Sequence, residues 1–126
     1  MKRMFIPIAV LALAALALAA PAVQAKGGPG TRIALKAASA YPGASGKAKF
    51  QNEGQRELEI EVEHVRRLAG KRVNFFVNST KVGSARVNSL GAAQIDKRGS
   101  GFPAIGAGTR IKVKTVGGTS IVAGRF

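Results

Sequence analysis

Apolar and polar residues alternate with a period of two over most of the chain after residue 31. The alternating segments cover residues 33–37, 44–50, 58–62, 73–77, 83–87, 93–95, 111–113 and 120–126. Glycine or asparagine separates neighbouring segments, which is typical of turns between strands. The pattern predicts an all-β domain of about 7–8 short antiparallel strands, folded as a β-sandwich of Ig-like or barrel-like form.

The alternation also predicts how neighbouring strands pair. A shift of one residue would turn the apolar face of a strand towards water, so the two strands of a hairpin must agree in parity. Four hairpins satisfy this rule with loops of two or three residues, which are favoured lengths. They pair Phe50 with Leu58, Val77 with Gly83, Val87 with Ala93, and Val113 with Val122.

The first 25 residues differ from the rest and read as a secretory signal peptide. Lys2 and Arg3 precede an apolar segment from Phe5 to Ala20, and small residues at Val23 and Ala25 suit a signal peptidase. The alternative is an uncleaved anchor. The apolar segment contains a proline and is shorter than the ~20 residues of a membrane span, so we expect cleavage after Ala25 and no stable membrane span.

Cleavage would leave a flexible lead-in over residues 26–31 and one β-domain over residues 32–126. We expect the domain to be exported to the periplasm or the extracellular space. The chain has no cysteine, which excludes disulfides, thiol catalysis and cysteine metal sites. The formal net charge is +14, and loss of Lys2 and Arg3 with the leader would lower it to +12.

Several segments of the domain resemble small secreted bacterial β-sandwich domains of unassigned function. They are residues 74–78, 81–88, 102–103, 107–109 and 122–126. The resemblance covers most of the chain after the leader. It implies a β-sandwich and implies no catalytic residue.

Four glutamates, Glu57, Glu59, Glu61 and Glu63, alternate along one predicted strand and therefore share one face. Side chains two apart on a strand lie ~6.6 Å apart in a line, whereas Ca²⁺ needs converging oxygens. The Phe50–Leu58 register places lysines 49 and 47 opposite the second and third glutamates. We therefore favour a cross-strand charge ladder over a metal or acid/base site.

His64 is the only histidine and Asp96 the only aspartate, so a serine–histidine–aspartate triad would need both. No serine lies in a Gly-x-Ser-x-Gly motif. One histidine without cysteine also makes a zinc site improbable. We predict a protein that is not an enzyme, with no catalytic residue, no metal site and no cofactor, and we keep an enzyme of unknown class as a minor alternative.

The basic residues are the remaining functional signal. Arg66, Arg67, Lys71 and Arg72 cluster around a predicted turn, and Lys112 and Lys114 share an outward face. These six residues are the predicted binding site for an anionic polymer of the envelope, such as lipopolysaccharide, teichoic acid or an acidic polysaccharide. The competing interpretation is a generally basic, solvated surface.

Nucleic acid is a poorer candidate, because stacked bases need several exposed aromatic side chains. Phe76 has outward parity, and we expect it to pack beneath the loop at residues 99–103. The sequence therefore predicts an exported binding or structural module of a bacterial envelope. The alternative is a protein-interaction or self-associating domain that pairs through an exposed edge strand.

Overall fold

A computed structural model describes residues 30–126, so the predicted signal peptide and its cleavage site at Ala25 lie outside the described residues. Eight strands and one short 3₁₀ helix make up the described fold. The strands are β1 Thr31–Ala37, β2 Ser45–Gln51, β3 Glu57–Glu63, β4 Arg72–Val77, β5 Thr80–Arg86, β6 Ala93–Arg98, β7 Arg110–Thr115 and β8 Ser120–Arg125, and the 3₁₀ helix is Arg66–Leu68.

All eight strands belong to one sheet in the order β5-β4-β7-β8-β1-β2-β3-β6, and every pairing is antiparallel. The sheet curls until its two edge strands approach each other. A Cβ atom on Gly83 of β5 would lie 3.3 Å from the Ile95 side chain of β6. The all-β antiparallel prediction is confirmed. The domain takes the barrel-like form, because one nearly closed sheet replaces two separate sheets.

The core fills the inside of this sheet with the inward residues of each strand. Leu58, Ile60 and Val62 of β3 have no exposed surface, and the same is true of Phe75 and Val113. Burying a side chain of this size contributes about 1.5–3 kcal/mol. Because the described fold contains no disulfide, this apolar core is its main source of stability.

Two of the four predicted hairpin pairings are confirmed. Phe50 pairs with Leu58 in the β2–β3 hairpin. Val113 pairs with Val122 in the β7–β8 hairpin. Beyond Val113 the register shifts, so Lys114 pairs with Ser120. The Val113–Val122 pairing predicted a two-residue loop at residues 117–118. That loop is wrong, because the turn covers residues 116–118.

The other two predicted pairings are wrong. Val77 pairs with Thr80, not with Gly83, because Asn78 adopts a left-handed φ of 55° and allows a two-residue turn. A bulge after Phe75 then restores the inward register of β5.

Val87 and Ala93 do not begin a hairpin. Residues 87–92 instead cross from one edge of the sheet to the other, and β6 pairs with β3. The polar groups of Asn88 organise this crossing, since its side-chain oxygen accepts hydrogen bonds from the backbone N–H groups of Leu90 and Ala92.

Arg56 holds the long β6–β7 loop against the core. Its guanidinium donates to the backbone oxygens of Gly99 (3.1 Å), Phe102 (3.1 Å) and Pro103 (2.7 Å). The same group lies 3.9 Å from the ring centroid of Phe102, which packs edge-on against Phe50. The aromatic side chain buried at this loop is therefore Phe102, whereas we expected Phe76 to lie there.

Candidate functional site

The acidic residues occupy a small part of the molecule. The chain has six, and five of them lie on the adjacent strands β3 and β6. We call these five the acidic strip: Glu57, Glu59, Glu61, Glu63 and Asp96. The sixth, Glu53, lies in the β2–β3 turn.

Basic neighbours compensate much of the acidic strip. The predicted ladder is confirmed in register, with Lys49 opposite Glu59 and Lys47 opposite Glu61. The Lys47 ammonium lies 3.7 Å from the Glu61 carboxylate. On the other side of the strip, the Arg98 guanidinium lies 3.3 Å from the Glu57 carboxylate. These are exposed or half-buried pairs, each contributing up to about 1 kcal/mol.

Three carboxylates of the acidic strip lie closer together than side chains two apart on a single strand, which are ~6.6 Å apart. One oxygen each from Glu57, Glu59 and Asp96 lies within 4.8 Å of the others. The sequence argument considered a single row of glutamates and missed the contribution of β6. Arg98 also reaches Asp96, at 3.8 Å, so one guanidinium already contacts two of the three carboxylates.

Glu61 has a raised pKa. Burial is the main cause, and a hydrogen bond and charge repulsion from Glu63 act in the same direction. Lys47 opposes the shift. Glu61 therefore holds a proton more readily than a fully solvated glutamate would.

The rest of the sheet has the opposite character. Strands β5, β4, β7, β8 and β1 are consecutive in the sheet and contain no acidic residue. Their outward positions carry nine basic side chains, seven of them exposed and two half-buried. We call this surface the basic wall: Arg32, Lys36, Arg72, Lys81, Arg86, Arg110, Lys112, Lys114 and Arg125.

Like charges face each other directly on the basic wall. Arg72 pairs with Arg86 across β4 and β5, and Arg110 pairs with Arg125 across β7 and β8. Directly opposed side chains have Cβ atoms about 4.5–5.5 Å apart, and like charges at this distance destabilise a sheet. This local repulsion has no acidic side chain on the same five strands to offset it.

A shallow groove lies in the middle of the basic wall. It has a volume of about 260 Å³ and is lined by Arg110, Lys112, Ala123, Gly124 and Arg125. Ala123 pairs with Lys112 on one side. It pairs with Lys36 on the other. A methyl group at the centre of four cationic side chains leaves room for an anionic group between them.

Phe76 lies on the basic wall beside this groove. It pairs with Lys112 of β7 and with Lys81 of β5. The Lys114 ammonium lies 5.2 Å from its ring centroid. One row of side chains thus crosses five strands in the order Lys81, Phe76, Lys112, Ala123 and Lys36. Neighbouring lysines of this row are two strands apart, which is about 9.5 Å at the usual strand spacing.

The structure divides the six predicted binding residues between two places. Arg72, Lys112 and Lys114 belong to the basic wall. Arg66, Arg67 and Lys71 lie in the β3–β4 connection at one end of the sheet.

Arg67 is already engaged by the protein. It donates to the backbone oxygen of Ala40 at 3.0 Å, and its guanidinium lies 4.5 Å from the ring centroid of Tyr41. The six predicted binding residues did not include Arg110, Arg125 or Lys36. The predicted Val113–Val122 pairing already places Arg110 opposite Arg125. The position of Lys36 beside Ala123 depends on the β8–β1 pairing, which was not predicted.

His64 and Asp96 do not come together. Asp96 pairs with Glu59, five residues before His64, which is about 16 Å along a strand. The His64 ring nitrogen Nδ1 instead lies 3.0 Å from the hydroxyl oxygen of Ser45. His64 has a left-handed φ of 65° at the point where the chain leaves β3 for the 3₁₀ helix.

Comparison of the chain with protein-family models, with curated proteins and with solved structures finds no match. Residues 30–126 contain no helix that is both long and apolar enough to cross a membrane.

Proposed function

We propose that this protein is an exported, non-enzymatic binding module that holds an anionic polymer against its basic wall. One observation supports the proposal above all others: nine cations and no carboxylate on five consecutive strands. The basic start and apolar segment of the leader, described above, support export to the periplasm or the extracellular space. The polymers available there include lipopolysaccharide, teichoic acid and acidic polysaccharide.

The arrangement of the cations favours binding over a merely soluble surface. A protein that needs charge only for solubility can scatter its cations, and can pair them with acids. Here arginines face arginines at Arg72/Arg86 and Arg110/Arg125. A bound polyanion would offset both repulsions, which no acidic side chain on the five strands offsets.

An acidic polysaccharide suits this surface better than nucleic acid does. Among the described residues, Phe76 is the only aromatic side chain on the outer face of the five strands, and its ring already contacts Lys114. Single-stranded nucleic acids are bound by several stacking rings in succession. Sulfate or carboxylate groups on a linear sugar chain need only cations, which the basic wall provides in rows.

The test is retention on a resin carrying a sulfated polysaccharide, with two matched double variants. Lys36→Ala/Lys112→Ala removes two cations of the basic wall. Lys47→Ala/Lys49→Ala removes two lysines that face glutamates on β3. Each double variant removes two positive charges, so the two variants have the same net charge.

We expect the Lys36/Lys112 variant to elute at clearly lower salt, and the slope of log affinity against log salt to fall by about 2. The Lys47/Lys49 variant should change little. Equal elution of both variants would mean that only net charge matters. Elution of the unaltered protein below about 0.15 M salt would also refute the proposal.

A second candidate function is pairing with another protein strand. The edge strands β5 and β6 approach each other, yet no ladder joins them in the sheet described here. An exposed edge can accept an additional strand from a partner or a second copy. Light scattering distinguishes this function, because self-association through backbone hydrogen bonds should persist at high salt, whereas polyanion binding should not.

A further inference from the structure

Four connections of the described fold lie at the same end of the sheet. Because every pairing is antiparallel, strands β1, β3, β5 and β7 end at one end of the sheet, and β2, β4, β6 and β8 start there. We call this surface the loop end. It consists of residues 38–44, 64–71, 87–92 and 116–119.

The loop end is an ordered surface, because backbone hydrogen bonds join its connections. Val65 donates to Gly91 at 3.0 Å, and Gly70 donates to Val87 at 2.8 Å. Arg67 links the same segment to Ala40, as described above. Three of the four connections, at residues 38–44, 64–71 and 87–92, therefore keep fixed positions relative to one another.

Two large apolar side chains project from the loop end into solvent. Leu90 is 69% exposed and Val116 is 67% exposed. They are the exposed large hydrophobic residues of the described part of the chain, and both lie at this one end. A single exposed apolar residue is ordinary, but two at the same end of the sheet suggest a contact surface.

An arginine side chain lies close to the Leu90 tip, and the β4–β7 register brings the backbone of a second arginine near Val116. A Cβ atom on Gly91, the residue after Leu90, would lie 3.0 Å from the Arg66 side chain. Thr115 pairs with Val73 in the antiparallel β4–β7 ladder. Val116, the next residue after Thr115, therefore lies near the backbone of Arg72, the residue before Val73.

The charge of the loop end has one sign. Its four connections contain no acidic residue, and Arg66, Arg67 and Lys71 lie within them. The opposite end differs, since its β2–β3 turn carries Glu53.

From these features we infer that the loop end docks on an anionic lipid surface, with Leu90 and Val116 in the headgroup–acyl boundary and the flanking cations on lipid phosphates. Apolar insertion and basic attraction are each weak alone, and reversible surface binding normally combines them. A soluble polyanion gives the two apolar tips nothing to contact. This inference does not depend on polymer binding at the basic wall, which faces sideways from the loop end.

Tryptophan fluorescence tests the inference directly, because the chain contains no tryptophan. Leu90→Trp places the only indole at a loop tip. Ser100→Trp places it at an exposed position of the opposite end as the matched control. Each variant is titrated with vesicles of phosphatidylglycerol and phosphatidylcholine, with vesicles of phosphatidylcholine alone, and with inorganic phosphate.

A blue shift of the Leu90→Trp emission with anionic vesicles, absent with neutral vesicles and with phosphate, is the expected result. The Ser100→Trp emission should not change. Equal shifts of both variants, or no shift of Leu90→Trp with anionic vesicles, would overturn the inference. A shift with phosphate alone would also overturn it, since it would indicate an anion site without lipid.

Vesicle sedimentation of unlabelled variants provides a second, independent measurement. Leu90→Ser/Val116→Ser should weaken binding to anionic vesicles and leave retention on the polysaccharide resin unchanged. Arg66→Ala/Lys71→Ala should weaken vesicle binding by roughly thirtyfold, at about fivefold per cation. If Lys36→Ala/Lys112→Ala abolished vesicle binding and the loop-end variants did not, the basic wall would be the lipid surface and the inference would be wrong.

Discussion

Replacing Arg56 with alanine should destabilise the domain strongly, although Arg56 has no carboxylate partner in the described fold. Its guanidinium donates to three backbone oxygens of the β6–β7 loop and lies 3.9 Å from the Phe102 ring centroid. A hydrogen bond to a charged group is worth about 1.5–3 kcal/mol, and a cation–π contact about 0.5–2 kcal/mol.

The full sum of these values overestimates the effect, because one side chain makes all four contacts and loses rotamer entropy once. We therefore expect a net loss of about 3 kcal/mol for Arg56→Ala. For a domain of this size that corresponds to a fall in Tm of roughly 12–24 °C. Urea denaturation followed by circular dichroism measures the free energy, and a thermal scan measures Tm.

Two further variants separate the causes. Arg56→Lys keeps the charge but loses the planar fork, so it should recover less than half of the lost stability. Arg125→Ala, an exposed arginine of the basic wall, should change the free energy of unfolding by less than about 0.5 kcal/mol. The reasoning is wrong if Arg56→Ala costs under about 1 kcal/mol, or if Arg56→Lys matches the unaltered protein.

Three other predictions concern β3 and its neighbours. Gly46→Ala should cost about 1–3 kcal/mol in urea denaturation, since its Cβ would lie 2.5 Å from the Glu61 backbone oxygen; Gly43→Ala, with nothing within 4 Å, should be near neutral. Leu58→Ala should cost about 2–5 kcal/mol by the same assay, because the side chain is fully buried. Glu63→Gln should lower the raised pKa of Glu61, because it removes the charge repulsion from Glu63. If the Glu61 carboxyl titrated unchanged by NMR, the contribution assigned to Glu63 would be wrong. Because a raised pKa favours the folded state only while the carboxyl is protonated, the Glu61 contribution is present at acidic pH and is lost as pH rises through its folded pKa; Glu63→Gln should therefore narrow the stability difference between acidic and neutral pH.

The sequence predicted well what local alternation determines. The inward residues of β3 and the pairing of Phe50 with Leu58 follow from parity, and the lysine–glutamate ladder follows from that pairing. It failed where the choice of partner is not local. β6 pairs with β3 and β4 pairs with β7, and neither pair is adjacent in sequence. Parity alone cannot distinguish a hairpin at residues 87–93 from a crossing between two edges.

The same limit explains which site residues were missed. Lys36 was visible as a cation, but only the β8–β1 pairing, between strands distant in sequence, places it beside Ala123. Asp96 joined the acidic strip in the same way, through β6. Arg56 gave no signal at all, since its partners are backbone oxygens 43–47 residues away.

The order of strands also determines how the charges are arranged in space. In a nearly closed ring of eight strands, positions four apart lie on opposite sides, so β3 lies opposite β7 and β6 lies opposite β8. The acidic strip is therefore on the far side from the groove around Ala123. A charge separation across the sheet orients a protein in the field of a polyanion before contact, and turns the basic wall towards it. The loop end faces along the strands, at right angles to that wall. A domain seated by its loop end on lipid would consequently present its basic wall to polymers standing on the same surface, so both proposed contacts can form at once.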